Sequence, residues 1–331
     1  MLSAAPALPS AVEVVPPEHL HDLRDEWAAL WEAVPDASPF LHPAWLLAWE
    51  RVYAPGQTWA VVLRADDELA ALLPMFAWRG ALLLAGTGPS DHGGLLARPE
   101  AANAVSALLG TVARCEAVGT IDLQQIEPGS PLARVILPAW EATSRPGDCC
   151  PMLPLAGTDG MDAVPKRMRA NWRYARRRFE REGGVVEPVP ADEAPAAVAA
   201  LERLHGERWA EKGETGMFAD DLLRRLLRRA APALAEASAL RLHRAVLGGE
   251  TIAVLLTLHG RGRACYYLSG FDPNHARLSP GTLLVGAAIA AAADEGTQRF
   301  DFLRGREPYK YAWGAHDEPR VRRTFTPAPD K

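Results

Sequence analysis

The sequence predicts an α/β (α+β) fold in two successive units, each a mixed, mostly antiparallel sheet flanked by helices. Three observations carry this expectation. Stretches of period-2 alternation are interleaved with stretches of helical spacing along the whole chain. Two tight hairpins are marked by their turn residues, Asp66-Asp67-Glu68 and Gly248-Gly249. The order helix, helix, hairpin, strand, helix, strand then occurs twice, with no residue-level repeat beneath it. A length of 331 residues also suits two cores better than one. The expected domains run over 10–155 and 160–331.

In the first half, Leu23, Trp27, Leu30 and Trp31 recur at helical spacing and predict a helix over Leu20–Val34. A second helix is expected over Pro43–Tyr53. Thr58–Ala65 and Leu69–Trp78 read as the first hairpin, and Ala81–Ala85 as a strand. The latter runs into a glycine-rich loop that holds Ser90, Asp91 and His92. Ala101–Ala117 is expected to be helical, Thr120–Ile126 a strand, and Ile136–Pro154 irregular. In the second half, Met168, Trp172, Ala175 and Phe179 form an apolar stripe that predicts a helix over Val164–Glu182. Gly184–Val189 follows as a strand, then helices over Pro195–Lys212 and Ala219–Ala231. A three-strand meander spans Arg241–Gly270. A helix opening at Ser279-Pro280-Gly281-Thr282 and ending at Gly296 comes next, then strands at Gln298–Leu303 and Val321–Thr326.

Composition narrows the function. Hydrophobic residues are 48% and charged residues 23%, with a net charge of −5. That balance argues against DNA as a partner, because general nucleic-acid binders are basic overall. The four cysteines lack Cys-x-x-Cys spacing, so no metal site is expected and the thiols read as reduced. The N-terminus lacks the basic region of a secretory signal. The longest apolar run, Leu283–Ala293, is shorter than the ~20 residues a membrane span requires. A soluble cytoplasmic protein is expected.

The stretch with the most chemical content is Tyr266–Gly314. A helix opening on Ser-Pro-Gly-Thr offers free backbone N–H groups and the positive end of its dipole. Proline loses no needed donor there, and glycine lets a ligand approach. Leu278, Ser279, Gly281 and Thr282 are therefore the candidate pyrophosphate seat. Asp301 is a candidate general base, or a residue that ties down a loop. Lys310 could neutralise a phosphate and Tyr309 protonate a thiolate, or both could lie in an ordinary surface loop. Arg173 and Arg177, on the basic helix, are candidates for binding substrate anions, or members of a solvated face. Arg208, Trp209, Asp91 and His92 are further candidates for substrate binding, facing a cleft between the two domains.

Several of these features together resemble a known family. They are Ser279-Pro280-Gly281, Gly296, Phe300-Asp301-Phe302-Leu303-x-Gly305 and Tyr309-Lys310-x-x-Trp313, with Leu204-His205-x-x-Arg208-Trp209 and the basic helix upstream. The chain resembles GNAT acyltransferases of the CelD-type, cellulose-biosynthesis-associated branch, relatives of the FemAB peptidyltransferases. The resemblance implies two tandem GNAT-like domains, with acyl-CoA bound by the second. It implies an N-acyltransferase that moves an acyl group from acetyl-CoA or another acyl-CoA to an amine, either a small molecule or a cell-envelope precursor. Two alternatives stand beside it: a FemAB-like transferase taking aminoacyl groups from charged tRNA, and a non-catalytic accessory protein of polysaccharide biosynthesis.

Overall fold

The computed structural model describes residues 10–115, 119–155, 160–211 and 213–329. In chain order the strands and helices are β1 (Ser10–Val15), α1 (Arg24–Ala33), α2 (Pro43–Tyr53), β2 (Thr58–Ala65), β3 (Glu68–Trp78), β4 (Ala81–Leu84), β5 (Leu96–Ala97), α3 (Val105–Cys115), β6 (Thr120–Ile126) and β7 (Trp140–Pro154). They continue with α4 (Lys166–Arg181), β8 (Val185–Pro188), α5 (Ala194–Glu211), α6 (Asp221–Glu236), β9 (Leu240–Leu247), β10 (Glu250–Gly260), β11 (Arg263–Phe271), α7 (Pro280–Asp294), β12 (Arg299–Asp301), α8 (Pro308–Ala312) and β13 (His316–Pro327). The expected helix ends at Ala117 and Lys212 lie outside the described residues.

The chain divides into two compact units. One is built from residues up to Gly147 together with those from Pro319 on, and the other is Asp148–Glu318. The C-terminal residues belong to the first unit because Val321–Phe325 pairs antiparallel with β6.

In the first unit the strand order is β1-β2-β3-β4-β6-β13, with β5 added to β3. β4 and β6 are parallel and the other described pairs are antiparallel. Its core takes Leu73, Met75, Leu108, Ile121 and Phe325 from the sheet and α3. Trp27 and Trp45 are fully buried, and each places its indole N–H on an oxygen, Leu41 O and Ser90 Oγ respectively, both at 2.9 Å. Burying an indole is cheap only when its N–H is satisfied in this way.

In the second unit β12, β11, β10, β9 and β8 follow one another, and the end of β7 lies against β12. β11 and β12 are parallel, joined by α7, and the rest is an antiparallel meander. The apolar stripe on α4 packs as its spacing dictates: Ala175 and Phe179 enter the core, and Met168 and Trp172 flank it. The Trp172 ring lies so close to α7 that a Cβ at Gly286 would sit 2.3 Å from it.

Three expectations are corrected. The stretch expected to be irregular contains β7, a strand of 15 residues. Two prolines, a glycine and mostly exposed side chains over Trp140–Pro151 hide its alternation. α6 does not stop at Ala231 but runs through Pro232 to Glu236. Its strongly one-sided apolar face, Leu223, Leu226, Leu227, Ala230 and Leu234, outweighs the local cost of proline. β13 begins five residues before Val321, at His316.

Candidate active site

The β11–α7–β12 unit fixes the geometry. A strand, a helix that returns and a second parallel strand place the helix N-terminus at the C-terminal edge of the two strands. The parallel register holds for Arg263↔Arg299, Ala264↔Phe300 and Cys265↔Asp301 and then stops. β11 continues to Phe271, whereas the chain after Asp301 bends away at Leu303, whose φ is +59°. The Asp301 carboxylate fixes that bend by accepting the Leu303 N–H at 2.8 Å. Asp301 itself is fully buried. β11 also carries a bulge at Tyr267, where Leu256↔Leu268 shifts to Thr257↔Tyr266. The two strands therefore part at this edge.

Three aromatic rings fill the opening: Tyr266, Phe302 and Tyr309, with centroids 6.2 to 6.3 Å apart. The Tyr266 hydroxyl is hydrogen-bonded to Ser269 Oγ at 2.5 Å and to Tyr309. Burial raises the pKa of both phenols, Tyr266 and Tyr309, and for Tyr309 the neighbouring Tyr266 and the Glu307 carboxylate raise it further. Both remain protonated at neutral pH, so each can donate a hydrogen bond.

At the same edge α7 opens. Ser279 takes a left-handed conformation (φ 57°, ψ 49°) and its side chain caps nothing. The first helical N–H with a backbone acceptor is that of Leu283, on Ser279 O. The N–H groups of Gly281 and Thr282 precede it and are free of helical partners. A Cβ at Gly281 would meet nothing within 4 Å. Ser279 is exposed and Gly281 and Thr282 are half-exposed, but Leu278 is buried in the core and does not face a ligand.

Lys310 is neither a surface residue nor an open cation. It is 2% exposed, and its Nζ donates to the carbonyls of Leu303 (3.1 Å), Arg304 (2.6 Å) and Gly305 (3.1 Å) and pairs with Glu307 at 2.9 Å. All its protons are committed to holding the 303–307 loop, so it has none for a phosphate. Tyr309, at the start of α8, stays half-exposed beside that loop.

α5 completes the edge. A Cβ at Gly270 would lie 2.4 Å from His205 N, so only glycine lets α5 approach β11 this closely. His205 Nδ1 lies 3.0 Å from Ser269 O, and its Nε2 accepts the Met217 N–H at 3.3 Å. That pattern requires a neutral ring protonated at Nδ1, and burial lowers its pKa accordingly. One turn on, the Arg208 guanidinium lies 4.6 Å over the Phe271 ring. Trp209 packs instead on the turn at Gly216, where a Cβ would meet its ring at 2.6 Å.

Arg173 and Arg177 are on the exposed face of α4. Asp91 and His92 are buried within the first unit, where His92 Nδ1 sits 3.4 Å from Glu127 and its ring 5.7 Å from that of Phe40. Sequence reasoning left out Ser269 and Glu307, which join the cluster, and named His205 within the Leu204-His205-x-x-Arg208-Trp209 pattern without giving it a role. His205 carried a usable signal, because its spacing of three and four from Arg208 and Trp209 puts all three near one helix face.

Residues 166–311 match the family model described as an acetyltransferase (GNAT) domain. No curated protein matches the chain. Among solved structures the chain is similar to FemX, at 12% identity and TM-score 0.67, over 91% of this chain and 95% of that one. It is also similar to a conserved protein of unknown function from Bacteroides thetaiotaomicron, at 15% identity and TM-score 0.64, over 97% and 100%. A third similar structure is L-PGS from Bacillus licheniformis, at 12% identity and TM-score 0.59, over 90% of each chain. At such identities the structures speak for the fold alone, and the domain match speaks for the chemistry. Together with the diverging parallel strands behind α7, the match of 166–311 to an acetyltransferase (GNAT) domain supports an acyltransferase.

Proposed function

We propose that the protein moves an acyl group from acyl-CoA to an amine acceptor, a small molecule or a cell-envelope precursor. In this reading the chain is a tandem GNAT protein whose second unit, Asp148–Glu318, binds the donor. The observation that carries it is the opening of α7, where the Gly281 and Thr282 amides and open space at Gly281 meet the edge at which β11 and β12 part. The helix dipole and free N–H groups suit a pyrophosphate.

The amine nitrogen attacks the thioester carbonyl, the C–N bond forms and the C–S bond breaks. The ammonium first loses a proton to solvent, the departing thiolate takes a proton from Tyr309, and the second proton that the nitrogen sheds as the amide forms restores the phenol. Asp301 serves as the strap of the Leu303 bend.

Calorimetric titration with acetyl-CoA, free CoA and a longer acyl-CoA tests the reading. Saturable binding at about 1–100 µM is expected. Gly281→Phe should abolish it at an unchanged melting temperature, because the fold leaves that position empty. Binding that survives the substitution places the seat elsewhere. A second reading, with charged tRNA as donor, is favoured by the exposed Arg173 and Arg177 of α4. It leads if acetyl-CoA gives no heat at millimolar concentration while charged tRNA binds.

A further inference from the structure

Arg208 is a half-buried arginine of the second unit whose charge no described side chain balances. Its Nε is buried without a hydrogen-bond partner, and its contact is with the face of Phe271. Other arginines with a buried, unpartnered Nε use their remaining nitrogens: Arg98 reaches Glu68, and Arg323 reaches the carbonyls of Leu132 and Val135. Leaving a charged donor buried and unpaired costs free energy that a ligand recovers.

The place of this cation is set by close packing. Gly270 brings α5 onto β11, His205 clamps the contact through Ser269 O and Met217 N, and Arg208 follows one turn later. Its charge acts on both Tyr266 and Tyr309, the two phenols that line the opening between β11 and the chain after β12. We propose that the acceptor is an amine that also bears a carboxylate, and that Arg208 grips this carboxylate beside the Tyr266–Tyr309 pair. The inference rests on the acyltransferase reading above and names the class of acceptor that reading leaves open.

The surroundings favour a carboxylate over a phosphate. The guanidinium carbon lies over the Phe271 ring, and a flat fork of donors matches a planar carboxylate. Among the described residues of the cluster, no second side chain offers a free positive charge. His205 is neutral by virtue of its two hydrogen bonds, and the Lys310 ammonium is enclosed by carbonyls and Glu307. One unpaired charge balances a monoanion.

Ligand-observed NMR on the whole protein, with no donor present, tests this apart from the donor question. The probes are L-amino acids at millimolar concentration, their C-terminal amides, and O-phosphoethanolamine. At least one amino acid should bind, and its amide about tenfold to a hundredfold more weakly. Arg208→Met should erase that difference. Arg208→Lys, which keeps the charge and loses the fork, should restore part of it, and also covers the case in which the methionine variant fails to fold. Amides that bind as well as acids, a preference that survives Arg208→Met, or binding of O-phosphoethanolamine with none of the amino acids would each overturn the proposal. Failure of acetyl-CoA to bind, alongside a retained acid preference, would instead sink the donor assignment and leave Arg208 as the carboxylate site.

Discussion

An ammonium has three protons to give, and Lys310 gives them to the backbone of the loop that follows β12. Lys310→Met would leave those buried carbonyls unsatisfied, and we expect it to cost about 3 kcal/mol. Urea denaturation measures this; an unchanged midpoint would mean that the side chain is not a structural tie. Histidines give the molecule its response to acid. Burial lowers His42 to about 4 and His259 to about 3, below the ordinary value of 6.5. Below pH 6.5 the unfolded chain takes up protons that these folded rings refuse, so stability is full above pH 6.5 and falls as the pH drops toward those values. Each ring should cost on the order of 2 kcal/mol by pH 4.5. Urea melts at pH 7 and pH 4.5 should show the loss, and His259→Gln should reduce it. Residue types alone pointed to Tyr309 and Lys310 but could not separate them. Whether a lysine faces a substrate or a ring of carbonyls depends on where the loop between β12 and α8 turns, and that turn is set by Asp301 and Leu303.

Helices and strands were legible where one periodicity ruled. α4 declared itself by its apolar stripe and α7 by Pro280 at its start and Gly296 past its end, where φ is +76°. β7 and the end of α6 were not legible, because prolines in each contradict the state that tertiary packing enforces. The parting of β11 from β12 was also hidden, since a bulge and a single left-handed residue leave no periodic trace. Element contacts that rely on missing side chains make the sharpest tests. At Gly270 a methyl group would meet the backbone of α5, which cannot rotate aside as a flexible side chain would. Gly270→Ala should therefore push α5 off β11, at a cost of about 1–3 kcal/mol. It should also weaken the acid-over-amide preference assigned to Arg208, although Gly270 touches no ligand. A thermal melt and the same NMR comparison read both effects.

At the scale of the whole molecule, the order of elements signalled a mixed α/β fold, and the sheets of both units have that character. The path of the chain was not signalled. Hydrophobic patterning tells which face of a strand is buried but not which sheet receives it. β13 could therefore be recognised as a strand without its partner, β6, being known. Removing the residues after Glu318 should strip β13 from β6 and expose Ile121 and Leu123. We expect such a truncation to destabilise the first unit, as seen by faster hydrogen exchange in β6, while α7 and β11 keep their protection.

The pairing of β13 with β6 also sets a timetable. A ribosome emits β6 and then the whole of 148–318 before the strand that lies beside β6 exists. The acyltransferase domain can close on itself while the chain is still growing, whereas the first unit waits, one sheet edge open, until its last strand is released. In this protein the half that is made first is the half that is finished last.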